Sequence, residues 1–280
     1  MARLEAWRAG GCRVLASAVI AVVVLACVVT AFPAGAMAQE AAAAASDAWI
    51  VTLGGSMAFA PTYEGARTGS LYFMPSFDIR RADEPATFSA PDDSFGIGLF
   101  DFDGVRFGVL GGLREGRPDW VIPGLPGYAT TIEGGGFAEF WPVEGRLRTR
   151  IELLQGLAAN AGLAANLSAD LVEKQGPLTI AFGPRLSLGD RVLMQTEFGV
   201  PQQAVALGIA PPFDADAGIK SAGLATSLSY DWSQEWTTTV FGSYQHLAGA
   251  AAQSPVVTGT GSPNQLTVGL GFERSFTLGH

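Results

Sequence analysis

Charged residues at alternate positions form the most distinctive chemical pattern of this sequence. They are Arg146, Arg148, Arg150 and Glu152. Side chains two residues apart on a β-strand point to the same face, so three cations and one carboxylate would line one wall. Two interpretations stay open: an anion-attracting wall that sets the selectivity of a pore, or a charge ladder that fills a narrow lumen, paired with carboxylates of neighbouring strands such as Asp170 and Glu139. The paired ladder is preferred, because an unpaired cation is costly in a confined interior.

Residues that could carry catalysis are scarce. The sequence has two histidines, His246 and the terminal His280, and it lacks the G-x-S-x-G motif that presents a nucleophilic serine. The glycines at 134–136 are not followed by the Lys and Ser or Thr of a phosphate-binding loop. Asp92 and Asp93 are adjacent, and adjacent side chains on a strand point apart. We therefore predict no catalytic residue, no bound cofactor and no metal site, and a protein that is not an enzyme.

Composition narrows the class of protein that must position these residues. Of 280 residues, 36 are Gly and only 15% are charged, against roughly 25% in an ordinary soluble protein. Hydrophobic residues make up 48%, which excludes a disordered chain. The formal charge of −9 argues against a nucleic-acid partner, because phosphate contacts need clustered Lys and Arg. An apolar, glycine-rich chain that is poor in charge is typical of a membrane protein.

The first 38 residues have the organisation of a secretory signal peptide. Three arginines precede an uncharged apolar run over 14–29, and the small residues Ala36 and Ala38 follow it. This order predicts cleavage between Ala38 and Gln39. A retained transmembrane anchor is the alternative, but about 16 apolar residues are few for a helix that crosses a bilayer.

A second alternative is a lipoprotein signal in which Cys27 is lipidated, although the apolar run continues past that residue. Cleavage after residue 38 removes both cysteines of the chain, Cys12 and Cys27, so the mature protein would have no disulfide and no thiol chemistry. The alanine-rich stretch at 39–47 that follows is predicted to be a flexible spacer.

The remaining chain alternates between apolar and polar residues with period two. Over 49–59 the odd positions are mostly large and apolar, whereas the even positions are mostly small or polar. Such alternation indicates two-faced strands. Twelve segments of this kind predict an antiparallel transmembrane β-barrel over 48–276 with a short tail at 277–280. The predicted strands are 48–60, 70–81, 94–102, 105–114, 129–140, 146–156, 162–173, 178–188, 191–199, 219–231, 235–247 and 264–276.

A soluble β-sandwich would alternate as well. The barrel is preferred because the segments approach the 9–11 residues that a tilted membrane strand needs, and because charged residues avoid the apolar face. One conflict remains. With both termini in the periplasm, the long connections 82–93 and 115–128 would lie on the side where turns are short. Either these segments face inward or the strand count is wrong, in which case ten strands is the alternative.

Several short motifs, in this order, resemble the MltA-interacting protein / OmpV family of Gram-negative outer-membrane barrels. The motifs are Tyr63-Glu64-Gly65, Leu71–Ile79 with Pro75, Gly116-Arg117 before Leu125, Phe198-Gly199-Val200, Tyr230-Asp231-Trp232, Trp236, Tyr244-Gln245-His246-Leu247, Ser254-Pro255-Val256-Val257, and Gln265 before Gly269-Leu270-Gly271-Phe272. The sequence departs from the family at Met194-Gln195-Thr196-Glu197, where the family is aromatic. It departs again at its end, which lacks a terminal aromatic residue.

The resemblance implies a non-enzymatic barrel in the outer membrane, in contact with its lipid. It further implies a scaffold that joins a murein-cleaving transglycosylase to a murein synthase, so periplasmic murein enzymes are the expected partners. Other members of the family are associated with adhesion or with permeability. A narrow channel for small solutes and a surface adhesion protein are therefore kept as alternatives.

Overall fold

The computed structural model describes residues 48–279 apart from positions 85, 203, 205–207 and 209. The predicted signal peptide, its cleavage site between Ala38 and Gln39, and the spacer at 39–47 lie outside the described residues. The described chain is dominated by one antiparallel sheet, so the prediction of an all-β barrel is confirmed.

Eleven strands of 8 to 15 residues form this sheet in the described part of the chain. Around the sheet their order is β2-β1-β11-β10-β9-β8-β7-β6-β5-β4-β3. The strands are β1 (Trp49–Pro61), β2 (Gly69–Arg81), β3 (Phe95–Phe102), β4 (Val105–Arg114), β5 (Thr131–Val143), β6 (Leu147–Gly156), β7 (Leu163–Gln175), β8 (Leu178–Gly189), β9 (Gly218–Asp231), β10 (Trp236–Leu247) and β11 (Asn264–Leu278). The last strand runs two residues past the predicted end of the barrel at 276.

The predicted strand at 191–199 is wrong, because this segment forms helix α1 (Arg191–Phe198). Asp190 caps its first turn: the side-chain Oδ1 accepts a hydrogen bond from the backbone N–H of Leu193 at 2.8 Å. Of the shorter helical segments, the structure describes two in full, α2 (Gly249–Gln253) and a π-helical turn (Val256–Thr260).

The two faces of the sheet differ as the period-two pattern predicts. Leu53, Phe73 and Leu153 project from the outer face and are exposed. On the inner face hydroxyl groups pair between strands, as Thr52 Oγ1 does with Ser275 Oγ at 2.8 Å. An apolar outside and a polar inside are the arrangement that a barrel needs in lipid.

The connections fall into two classes by length. Residues 103–104, 144–146, 176–177 and 232–235 join strands at one end, which we call the turn end. Residues 62–68, 115–130, 157–162, 190–217 and 248–263 join strands at the other end, the loop end. Outer-membrane barrels have short periplasmic turns and long external loops, so the turn end, where β1 begins and β11 finishes, corresponds to the periplasm.

The edge strands β2 and β3 run in the same direction, because ten successive antiparallel pairings separate them around the sheet. Their rings meet at one point, where the centroids of Phe77 and Phe95 are 6.0 Å apart. No hydrogen-bonded pairing joins these two strands within the described residues. β2 ends at the turn end, and Phe95, the first residue of β3, lies beside Phe77 of β2, so the connection 82–94 runs back toward the loop end before β3 begins. We call this connection the strap.

The strap and helix α1 together resolve the conflict over the two long connections. The strap returns the chain toward the loop end without adding a strand to the wall, so β3 and β4 run opposite to their expected directions. The connection 115–130 therefore lies at the loop end, where long connections are expected. The helix at 191–198 removes one predicted crossing, so the remaining strands return to their expected direction. The strap is thus an inward-facing element.

Buried apolar residues gather at the loop end, mostly from its connections, and we call them the cap. Two clusters of buried side chains form it. The first contains Tyr63, Ala66, Ile122, Leu125, Val200, Ala204 and Val256. The second contains Met194, Phe198, Ala215, Leu247, Ala251 and Val257. The cap packs helices α1 and α2 over the mouth of the barrel.

Candidate functional site: the ion-pair network in the lumen

Arg148 points into the lumen near the turn end of β6 and is completely buried. Its guanidinium donates to three carboxylates: Nε to Glu139 Oε2 at 2.8 Å, Nη1 to Asp170 Oδ2 at 3.1 Å, and Nη2 to Asp93 Oδ2 at 2.5 Å. Glu139 and Asp170 belong to β5 and β7, which flank β6. Asp93 belongs to the strap. One side chain therefore ties the strap to three strands of the wall.

Arg150 extends the network toward the loop end. Its Nη1 donates to Glu139 Oε2 at 3.2 Å and its Nε donates to Glu152 Oε1 at 2.8 Å. The guanidinium also lies 3.9 Å from the ring centroid of Phe137, a cation–π contact. Glu152 in turn accepts hydrogen bonds from the hydroxyl and the backbone N–H of Ser94, so it holds the end of the strap.

Arg185 anchors the strap from β8, the strand next to β7. Its Nε and Nη2 donate to the two oxygens of Asp92 at 2.7 and 3.0 Å, which is a bidentate pair. Nη2 also lies 2.8 Å from Asp170 Oδ1. Asp92 and Asp93 thus point to different arginines, as adjacent residues should, and both fix the strap inside the barrel.

The network joins three arginines and five carboxylates. The arginines are Arg148, Arg150 and Arg185, and the carboxylates are Asp92, Asp93, Glu139, Glu152 and Asp170. Each of the three cations has at least two carboxylate partners. Such saturation offsets the desolvation that makes an isolated buried charge unfavourable. An open wall for attracting anions would need unpaired cations, and these three are paired.

Arg146 does not lie with the other members of the predicted ladder. It belongs to the turn 144–146, where its Nη2 donates to Glu173 Oε2 at 2.8 Å, and both side chains are exposed. The structure therefore brings Arg148, Arg150 and Glu152 together in the lumen and leaves Arg146 at the rim of the turn end.

An apolar layer lies between the network and the cap. It contains the inward-facing side chains Leu110, Phe137, Leu154 and Ala164, together with Leu193 of α1. From the turn end upward, the part of the lumen beside β4–β8 holds the ion pairs and the strap, then this layer, then the cap. Buried side chains therefore occupy three successive levels in this half of the barrel.

Sequence reasoning missed the strap carboxylates as part of the site. Adjacency alone predicts no role for Asp92 and Asp93, yet the acidic strap is long enough to reach the arginines that alternate along β6. Charge complementarity is the sequence feature that points to them. The connection 82–94 is too long for a turn and contains carboxylates, and Arg148 and Arg185 lie at inward positions of the wall.

The other residues considered for chemistry have local partners. His246 Nδ1 lies 2.9 Å from Asn264 Oδ1 at the loop end, and the pair is exposed. A Cβ on Gly135 would overlap the carbonyl oxygen of Leu153, so this glycine allows β5 and β6 to approach closely. In the described ranges, His, Cys, Asp and Glu form no group of three that could hold a metal ion. None of the helices described is long and apolar enough to cross a membrane.

Solved outer-membrane barrels resemble this chain at low sequence identity. An outer membrane channel from Pseudomonas putida F1 is 10% identical, covers 87% of this chain and 100% of its own, and has a TM-score of 0.42. The CymD monoaromatic hydrocarbon channel is 12% identical over 82% of this chain and 89% of its own, with a TM-score of 0.36. Neisserial surface protein A is 11% identical over 82% of this chain and 99% of its own, with a TM-score of 0.27. These likenesses are too distant to carry an argument about function.

A family model gives the closer relationship. The family described as MltA-interacting protein MipA matches residues 53–276, which is most of the chain and almost all of the sheet. No curated protein matches the sequence. On the strength of the family match and the barrel fold, the chain belongs to the MltA-interacting protein MipA family of outer-membrane β-barrels.

Proposed function

We propose that this protein is a closed barrel that serves as a non-enzymatic interaction protein of the outer membrane. Its proposed partner is a periplasmic murein-cleaving enzyme of the kind that the family description names, MltA. The observation that supports the proposal is the strap, which crosses the lumen and is bound by Arg148 and Arg185. A barrel filled in this way suits a membrane-anchored platform better than a route for solutes.

The platform faces the periplasm with its turn end, so the partner should bind there. Arg146 and Glu173 are exposed at that rim. Trp232 and Trp236 flank another turn at the same end and are exposed as well. Native envelopes carrying a photoreactive residue at position 146 should yield a cross-link to a murein-cleaving enzyme, whereas the same residue at Trp120, which is exposed at the loop end, should not. A cross-link only from position 120 would contradict the proposal.

Conductance tests the closed lumen. The mature protein in a planar bilayer should give no large, stable openings. The double variant Asp92→Asn/Asp93→Asn loses the charges that bind the strap to Arg185 and Arg148, and it should conduct measurably more. Asp101→Asn is the matched control, because the Asp101–Arg106 pair is exposed and touches no part of the strap. Large openings in the unmodified protein would overturn the closed-barrel proposal.

A gated channel is the second candidate, and one observation favours it. The inner face of β1, β9, β10 and β11 has small side chains at many positions, among them Ser56, Ser229, Thr239 and Gly271. If the strap left the lumen, this half of the barrel would offer free width. Brief, reversible openings in the unmodified protein would favour this candidate, whereas a complete absence of openings would contradict it.

A further inference from the structure

A partly enclosed pocket of about 450 Å³ lies at the loop end, outside the lumen network. It is formed by the top of β4, the connections 115–130 and 157–162, and helix α1 with the residues that follow it. Ala129, Ala159 and Asn160 form an exposed rim, whereas Arg117 and Glu197 lie buried at its base. The volume is in the range of small-molecule sites.

Polar atoms of the pocket lack hydrogen-bond partners among the described residues. These atoms are Arg117 Nε, Tyr128 OH and Glu197 Oε2. Arg117 and Glu197 are only 1% and 2% exposed, and a buried polar group without a partner is destabilising. The Arg117 side chain is otherwise well fixed, because its Nη1 donates to the backbone carbonyl oxygen of Glu197 at 3.1 Å and its Nη2 donates to that of Pro126 at 3.2 Å. The unpaired Nε is therefore held in place.

The charges around the pocket balance. Arg114, Arg117 and Glu197 line the pocket, and ion pairs connect Arg114 and Glu197 to Glu133, Lys220 and Glu64 behind it, which gives three charges of each sign. The ion pairs of Glu197 are loose, with Lys220 Nζ 3.7 Å from Oε2 and Arg114 Nε 4.0 Å from Oε1. A ligand with a net charge would upset this balance, whereas one that carries both signs would not.

Burial raises the pKa of Glu197 above its ordinary value, although Lys220 opposes the rise. Burial lowers the pKa of Arg117 and raises that of Tyr128 well above its usual range, so the phenol stays protonated. Each shift has the same cause, the removal of a polar group from water. A partner of opposite charge would stabilise the ionised forms of both Arg117 and Glu197.

We propose that this pocket binds a small zwitterion, with its carboxylate on Arg117 Nε and Tyr128 OH and its ammonium group on Glu197 Oε2. The unpaired donor and the unpaired acceptor require opposite ends of one ligand, and the balanced surroundings require that its net charge be zero. A free amino acid or a dipeptide has this chemistry. A neutral sugar offers only hydroxyl groups, which give Arg117 no charged partner and leave Glu197 with only its loose ion pairs to Lys220 and Arg114.

Calorimetric titration of the mature protein in detergent tests the assignment with four probes. L-glutamine and alanyl-alanine are zwitterions of two lengths, and at least one of them should give saturable binding. Acetyl-alanyl-alanine lacks the ammonium group and alanyl-alaninamide lacks the carboxylate, so each should bind at least tenfold more weakly than the dipeptide, if the dipeptide binds. Glucose, as a fifth probe, should give no saturable heat.

Two variants connect the binding to the pocket. Glu197→Gln should weaken binding at least tenfold, whereas Glu173→Gln, at the rim of the turn end, should leave it unchanged. Ala159→Trp should also abolish binding, because it fills the mouth of the pocket and leaves the buried charges in place. Its control is Leu157→Trp, at an exposed position of the same connection that does not line the pocket. Heat-modifiable migration on a denaturing gel checks that each variant folds.

Acidification gives an independent readout. Since the pKa of Glu197 is raised, its carboxylate becomes protonated at a higher pH than an ordinary glutamate, and zwitterion binding should weaken as the pH falls through that range. Folded protein that binds neither zwitterion, or that binds glucose instead, would overturn the proposal. Binding that survives Ala159→Trp would overturn it as well, because the ligand would then occupy another place.

Discussion

Replacing Arg148 by methionine should destabilise the barrel more than any other single removal of an arginine. The side chain is completely buried and joins Asp93, Glu139 and Asp170. Methionine is similar in length but uncharged, so the change leaves carboxylates without their shared cation. Removing one partner of a buried ion pair typically costs about 3–5 kcal/mol of unfolding free energy.

The surrounding contacts show where this loss arises. Glu139 keeps Arg150 at 3.2 Å, and Asp170 keeps Arg185 at 2.8 Å. Asp93 keeps only the neutral donors Ala90 N–H and Ser89 Oγ, at 2.9 and 3.3 Å. The uncompensated charge is therefore on the strap. For this reason Asp93→Asn should restore part of the stability lost in Arg148→Met, and the two changes should not be additive.

Equilibrium urea unfolding in lipid vesicles measures these differences. Arg146→Met is the matched control, because Arg146 is two residues away and its pair with Glu173 is exposed. Exposed pairs contribute only about 0–1 kcal/mol, so the control should remain near the unmodified protein. Equal losses for the two arginines, or a double variant as unstable as the sum of its parts, would refute the central position of Arg148.

Three further predictions concern the wall and the cap. Leu153→Arg on the outer face should cost roughly 2–4 kcal/mol of folding into lipid, whereas Ser229→Arg on the inner face should cost much less; equal losses would show that the faces are misassigned. Cysteines at Phe77 and Phe95 should be joined by a short thiol cross-linker, because their rings are 6.0 Å apart, and cysteines at Phe73 and Phe95 serve as the control pair. Asp190→Ala should cost about 1 kcal/mol by removing the cap of α1, which chemical denaturation can resolve; no loss would mean that the cap is dispensable.

Most wall strands could be predicted from the sequence because lipid outside and polar groups inside force a strict alternation. The predicted strand at 191–199 is wrong because period-two alternation alone does not take account of the sequence signals for a helix. Asp190 precedes it, Gly199 follows it, and Met194 and Phe198 are four residues apart. These are the marks of an N-cap, a C-terminal glycine and one helical face. The buried apolar side chains of α1 face the cap and the apolar layer rather than lipid.

The pairing of the lumen charges could be inferred only in part. Period two places Arg148, Arg150 and Glu152 on one face, and neighbouring strands supply Glu139 and Asp170. The ion pairs that involve the strap and Arg185 of β8 depend on how the sheet curves into a barrel, and this curvature cannot be predicted from a local sequence pattern. The prediction that Arg146 points into the lumen is wrong for a different reason. Arg146 precedes the first residue of β6, so the alternation of side chains along the strand does not determine where it points.

The composition of the strap explains why it crosses inside the barrel instead of completing the wall. Residues 82–94 include two prolines, which cannot donate to a sheet ladder. They also include Asp83, Glu84, Asp92 and Asp93, which fall at both odd and even positions, so neither face of an extended strap could meet lipid. Inside the lumen, Asp92 pairs with Arg185 and Asp93 pairs with Arg148. The same residues that exclude the strap from the wall therefore hold it in the lumen, and the parallel edges of β2 and β3 follow as a geometric consequence.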